Sequence, residues 1–216
     1  VKKSFKVSLM KTQEVEPKYY SDHELSLLLE PPKDEDDYVE VRSWVMVNFI
    51  CATGARSATI CNLKVKDVDL IDNIITYSHT KNKKFQSMPI TPALKPILKK
   101  YIEEWRPDTE DYLFITIDNR QLNRNSIRLS FNRYCNERNV EPRGIHQIRH
   151  SFAHHAIKEG MDPYRLQVAL GHSDLKMSSH YVHIWGDDLK EGFANYTILD
   201  SVKQDTARTK KVNRSK

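Results

Sequence analysis

Ile145-His146-Gln147-Ile148-Arg149-His150-Ser151-Phe152, continued by Ala153 and Ala156, sets apolar residues at 145, 148, 152 and 156. At about 100° of turn per residue these form one stripe along a helix. Arg149 falls at the edge of that stripe and His146 one step further round, so a partly shielded guanidinium lies beside an imidazole. The pair suits a phosphate. A guanidinium grips two oxygens at once, and an imidazole moves a proton near neutral pH. An amphipathic helix with polar residues along its rim explains the same pattern, and for His-x-x-Arg alone that plainer reading prevails.

Downstream, Leu170-Gly171-His172-Ser173 ends a helix on glycine and presents His172 in a turn, and Tyr181 follows nine residues later. A tyrosine with apolar neighbours is usually a core residue with a wet hydroxyl. A chemical role needs cations nearby, because a free phenol ionises only near a pKa of about 10. Upstream, Ser21 and Glu24 form a capping box, Tyr20 is placed to staple onto Leu25, and the helix they start stops at Pro31-Pro32. A helix over 38–53 carries Val41, Trp44, Val45, Phe49 and Ala52 at helical spacing, with Gly54 as its terminator. A short helix is predicted from Arg56 to Asn62. The runs Val65–Leu70, Ile74–Ser78 and Phe85–Ile90, parted by Asp72-Asn73 and by Lys81-Asn82-Lys83-Lys84, predict a small antiparallel sheet. Further helices are expected at 92–105, 124–138, 145–159 and 163–170, a short one at 174–182 and a weak one near 187–195. The fold class is therefore mostly α with a small antiparallel β-sheet.

Composition bounds the partners. Of 216 residues 39% are hydrophobic and 29% charged, as in a globular protein, and no apolar run reaches the roughly 18 residues of a membrane span. The opening VKKSFKV has no apolar core behind it and is not a secretory signal. Cys51, Cys61 and Cys135 form an odd set without a CxxC pair, which fits a reducing cytoplasm. The formal charge of +5 resides in residues 203–216, where Lys203, Arg208, Lys210, Lys211, Arg214 and Lys216 oppose Asp205 alone. Bulk charge is thus weak evidence for an anionic partner, and any basic site must come from local clustering.

The polar positions taken together carry more than each alone. Thr53-Gly54-Ala55-Arg56, Lys81 in its basic turn, His146-x-x-Arg149, Leu170-Gly171-His172 and Tyr181 follow in one order. That order and spacing resemble the tyrosine recombinase (integrase) family over nearly all of residues 20–185, with Lys81-Asn-Lys-Lys-Phe-Gln-Ser-Met-Pro-Ile90 similar to its lysine hairpin. The resemblance implies that fold's catalytic domain and an enzyme that cleaves and rejoins DNA through a 3′-phosphotyrosyl intermediate. By resemblance Arg56 and Arg149 clamp the non-bridging oxygens and His172 donates a further hydrogen bond. Lys81 protonates the departing 5′ oxygen, His146 takes the proton of the nucleophile Tyr181, and Lys83 and Lys84 bind DNA. No metal or nucleotide cofactor is implied. The partners implied are a double-stranded recombination site of a phage or mobile element and other recombinase protomers, as a tetramer on DNA, with no membrane; the setting is the cytoplasm, at the nucleoid during recombination.

One position departs from the family pattern. An acidic residue often stands three places after the first arginine, where this chain has Thr59; a hydroxyl cannot balance charge, so the support of the arginines must come from elsewhere. Three other readings compete. His146, His150 and His154 repeat at a zinc-compatible i, i+4 spacing, but no HExxH accompanies them. A DNA-binding module without cleavage would use only the basic residues. A type IB topoisomerase performs the same first step and reseals the same strand. The expected organisation is a lead-in over 1–17, a catalytic domain over 18–185, a segment over 186–202 that docks in cis or in trans, and a basic disordered tail over 203–216. The start at Val1, with nothing before residue 18 to form a core-binding domain, suggests a catalytic fragment of a longer integrase.

Overall fold

The computed structural model describes residues 19–33, 35, 37–77, 86–107 and 111–171. Two compact units divide the chain, Val1–Phe152 and Ala153–Lys216.

In the first unit, helix α1 (Asp22–Leu29) begins on the expected capping box: Ser21 Oγ accepts from the Glu24 backbone, and Glu24 reaches back to the Ser21 N–H at 2.8 Å. It ends because Glu30 is extended, as the residue before a proline must be. Helix α2 (Tyr38–Thr53) starts on the Asp37 side chain, which accepts from Val39 and Glu40. Apolar almost all round, it runs through the centre of the unit with Val41, Val45, Val47, Phe49 and Ile50 essentially inaccessible. Strand propensity in its β-branched residues loses here to burial on every side.

Aromatic rings and buried polar bonds lock α2 to its surroundings. Phe49 meets Phe114 edge-on at 5.9 Å, Phe114 stacks with Tyr101 at 5.6 Å, and Trp44 meets Trp105 at 6.2 Å. Its buried arginine, Arg42, donates to the Ile115 carbonyl at 2.6 Å. Glu40 pairs with the equally buried Arg138 at 2.8 Å, and that guanidinium lies 3.8 Å above the Tyr134 ring.

Helix α3 (Ser57–Asn62) follows, then a three-stranded antiparallel sheet in the order β1 (Val68–Asp69), β2 (Ile74–Tyr77), β3 (Gln86–Pro89). Ile75 pairs with Met88 and Tyr77 with Gln86. Ile75, Tyr77 and Met88 face the core, as a period of two requires. The expected strand over Val65–Leu70 is shorter than its pattern suggests. Val65–Asp67 forms a 3₁₀ turn, because Val65 N–H is taken by the Asp111 carbonyl and Asp67 turns back to accept from Lys64. The expected helix over 92–105 is α4 (Leu94–Lys100), whose final turn, Tyr101–Trp105, widens to π geometry. There Arg106 N–H reaches back five residues to Tyr101 at 2.8 Å. Helices α5 (Arg124–Glu137) and α6 (Ile145–Lys158) fall where the periodicity put them.

In the second unit, α7 (Pro163–Leu170) is capped by Asp162, which accepts from Tyr164 and Arg165, and ends at Gly171 in the left-handed region. Leu166 and Leu170 are its buried face. The helices expected at 174–182 and 187–195 lie outside the described residues. The architecture is the mostly helical one with a small antiparallel sheet that the pattern predicts.

Candidate active site

The Thr53-Gly54-Ala55-Arg56 turn is built by the end of α2. Gly54 adopts φ 63°, a left-handed cap, and its N–H bonds to Ile50 at 2.7 Å. The Thr53 hydroxyl donates to Phe49 at 2.6 Å and accepts from Ala55 N–H at 3.3 Å, so the turn is fixed on both sides. Arg56 then caps α3, half-buried, and burial lowers its pKa.

Arg149 on α6 reaches this turn. Its Nη1 donates to the Gly54 carbonyl at 2.7 Å, only two residues from Arg56. The expected position at the edge of the stripe underestimates its burial: Arg149 is 7% exposed. Helix α6 carries it under the α2–α3 turn, where the carbonyl satisfies part of the guanidinium. That bond gives Arg149 a backbone anchor that Thr59 does not supply.

His146, one turn earlier, sits at the surface with Nε2 3.2 Å from Ser57 Oγ. Its pKa is lowered, first by burial of part of the ring and then by the positive charges of Arg149, Arg124 and Arg56. Three guanidinium groups, from the residue before α3, from α5 and from α6, therefore act on one imidazole. Tyr77, the last residue of β2, also belongs here. Burial pushes its phenol up to about 12, against the opposing pull of Thr53 and Arg149. The connection that carries Lys81 begins at the very next residue.

Of the residues singled out from sequence, the fold brings Arg56, His146 and Arg149 together. Lys81, Lys83, Lys84, His172 and Tyr181 lie outside the described residues. Sequence reasoning missed Ser57, the Gly54 carbonyl, Tyr77 and Arg124. Only Arg124 left a signal: it opens α5 directly after the Asn123 cap, and a cation in the first turn opposes the helix dipole, an unfavourable choice without an anion to serve. Among the described residues no three His, Cys, Asp or Glu side chains gather as a metal site, and no helix is long and apolar enough to cross a membrane.

What such an arrangement can do is hold an anion. A cationic cluster around a proton acceptor stabilises charge that grows on a phosphate during attack more than charge already present.

Relatives share this frame. Tyrosine recombinase XerA of Pyrococcus furiosus is 28% identical over 190 residues, covering 86% of this chain and 64% of its own. The crystal structure of the XerH site-specific recombinase, bound to palindromic difH substrate in a post-cleavage complex, superposes with a TM-score of 0.65. It is 26% identical and covers 83% of this chain and 53% of that one. The catalytic domain of bacteriophage HP1 integrase superposes with a TM-score of 0.57 at 25% identity, covering 81% of this chain and 92% of that domain. The chain thus spans less than two thirds of the length of the Xer relatives, but nearly all of an isolated catalytic domain. Residues 18–185 match the model of the phage integrase family, and the chain belongs to that family.

Proposed function

We propose that this chain is the catalytic part of a site-specific DNA recombinase that cuts and rejoins strands through a phosphotyrosyl bond on Tyr181. The observation that carries the reading is the bond from Arg149 to the Gly54 carbonyl, beside Arg56, with both arginines acting on His146. Two guanidinium groups that act on one imidazole are placed to share the two non-bridging oxygens of one phosphodiester. Family membership and likeness to XerH, whose solved complex contains its difH substrate, support DNA as the anion.

In the proposed reaction the Tyr181 oxygen attacks phosphorus and its proton passes to His146. The bond from phosphorus to the 5′ oxygen breaks, and Lys81 gives that oxygen a proton. Arg56, Arg149 and His172 bear the charge on the remaining oxygens. The phosphotyrosyl bond keeps the energy of the phosphodiester until another strand's 5′ hydroxyl attacks, so strand exchange needs no energy source. Lys83 and Lys84 contact neighbouring phosphates. Further protomers, four on a paired recombination site, supply the exchange, in service of moving a phage or mobile element in the cytoplasm. Residues 18–185 are the catalytic region, 186–202 a docking segment and 203–216 a basic tail.

A nicked suicide substrate bearing the target site tests this. The parent chain should accumulate covalent protein–DNA adduct and Tyr181→Phe none, while Arg149→Ala should lose at least about a hundredfold in rate. Adduct persisting in Tyr181→Phe would move the nucleophile elsewhere.

A further inference from the structure

The segment before α1 is bonded to the helix that carries His146 and Arg149, and it brackets both residues. Tyr20 is the link. Its backbone N–H donates to Ser151 Oγ at 3.1 Å, a buried bond, and Ser151 Oγ in turn donates to the Gln147 carbonyl at 3.0 Å. Its hydroxyl accepts from the Arg143 backbone N–H at 2.8 Å. One residue therefore fastens α6 at position 151 and the approach to α6 at position 143, with His146 and Arg149 between the two anchors.

The link is itself held. Tyr20 is 3% exposed and meets Phe131 of α5 edge-on at 6.5 Å. The Arg143 guanidinium lies 5.3 Å from the centre of the Tyr20 ring, donates to the Tyr19 carbonyl at 3.2 Å and pairs with Glu24 at 2.7 Å. Glu24 is the residue that closes the α1 capping box. Between Arg143 and α6 the chain passes through Gly144 at φ +84°, where it turns most freely and external anchoring has most to restrain.

We propose that Tyr20 is a positioning residue for the candidate active site, holding the first two turns of α6 so that His146 and Arg149 meet the Gly54–Ser57 turn. The inference rests on the function proposed above only for its effect on cleavage. Its physical core is independent of that function. His146 faces Arg149 on its own helix, Arg56 and Ser57 at the start of α3, and Arg124 at the start of α5. Loosening the first turn moves the imidazole away from these charges and from the surface that partly buries it. Two bonds to α6 act on a geometry in which a displacement of about 1 Å can cost about a hundredfold in rate. Upstream sequence is covalently continuous with the clasp, so a load on residues before Tyr19 would reach α6 directly.

The test uses the full chain with Tyr20→Phe, which removes the hydroxyl that accepts from Arg143 and bonds Cys135, with Ser151→Ala, which removes the other anchor, and with Ser151→Thr, which restores a hydroxyl. NMR titration of DNA-free protein, with the His146 resonance assigned through His146→Gln, should show its midpoint rising toward the ordinary histidine value in Tyr20→Phe and Ser151→Ala and returning in Ser151→Thr. Single-turnover cleavage at saturating suicide substrate should fall about tenfold or more in the first two, with DNA affinity within about twofold of the parent, since they remove no basic side chain. If one variant fails to fold, the other carries the comparison. Folded variants whose His146 titrates as in the parent overturn the clasp. A parent that forms no adduct overturns the proposed function instead, and the titration still decides the clasp.

Discussion

His146 shows what a surface residue gains from its neighbours. Burial and three arginines favour its neutral form, the form a proton acceptor must have before the nucleophile is activated. In DNA-free protein its NMR titration should have a midpoint below the ordinary value of 6.5. The consequence for stability has a definite sign. Because the folded pKa lies below the unfolded one, the unfolded chain binds this proton first as the solution is acidified, so stability falls as pH drops through and below 6.5. His146→Gln should flatten that part of the stability curve between about pH 7 and 5 in urea melts; an unchanged slope would contradict the assignment. His146 and Arg149 were singled out by the ordered set of polar positions, since His-x-x-Arg alone favours the plainer reading. The groups that support them were not, since Ser57 and the Gly54 carbonyl are ordinary residues made special only by where α6 brings its side chains.

The connections between elements matter as much as the elements. Gly54 closes α2 in the left-handed region, offers its carbonyl to Arg149 and starts the turn that aims Arg56. A side chain at that φ costs about 1–2 kcal/mol, so Gly54→Ala should lower unfolding free energy by about that amount in denaturant melts. It should also weaken the site, because the same turn sets the arginine geometry. Unchanged stability would mean that the turn relaxes freely. Legibility followed the kind of signal present. The α1 capping box, the Gly54 terminator and the long periodic runs of α5 and α6 are local devices, and they read correctly. Val65–Asp67 did not, because its N–H bonds with residue 111, which no local pattern reveals. The π turn at 101–105 was hidden for a related reason: the seating of Trp105 against Trp44 is a tertiary contact.

Charge acts over the whole chain. The excess of +5 lies in residues 203–216, and the rest is neutral in formal terms. If the tail binds phosphates, removing residues 203–216 should weaken DNA binding at low salt and shallow the dependence of log K on log salt by about 0.9 for each phosphate no longer neutralised. Cleavage at saturating DNA should stay as in the parent. An unaltered salt slope would show that the tail touches no DNA.

The amino-acid pattern by itself determined the helical class, the small sheet, the caps and the ordered set of polar residues, because each depends on side-chain periodicity or on a few adjacent residues. Only the tertiary structure decided how deep Arg149 lies, which carbonyl holds it, that Arg124 joins the charges on His146, and that Tyr20 fastens α6. Those facts are distances between residues as much as 131 positions apart. They arise when an all-round apolar α2 is buried and its neighbours pack against it, and no stretch of local sequence encodes them.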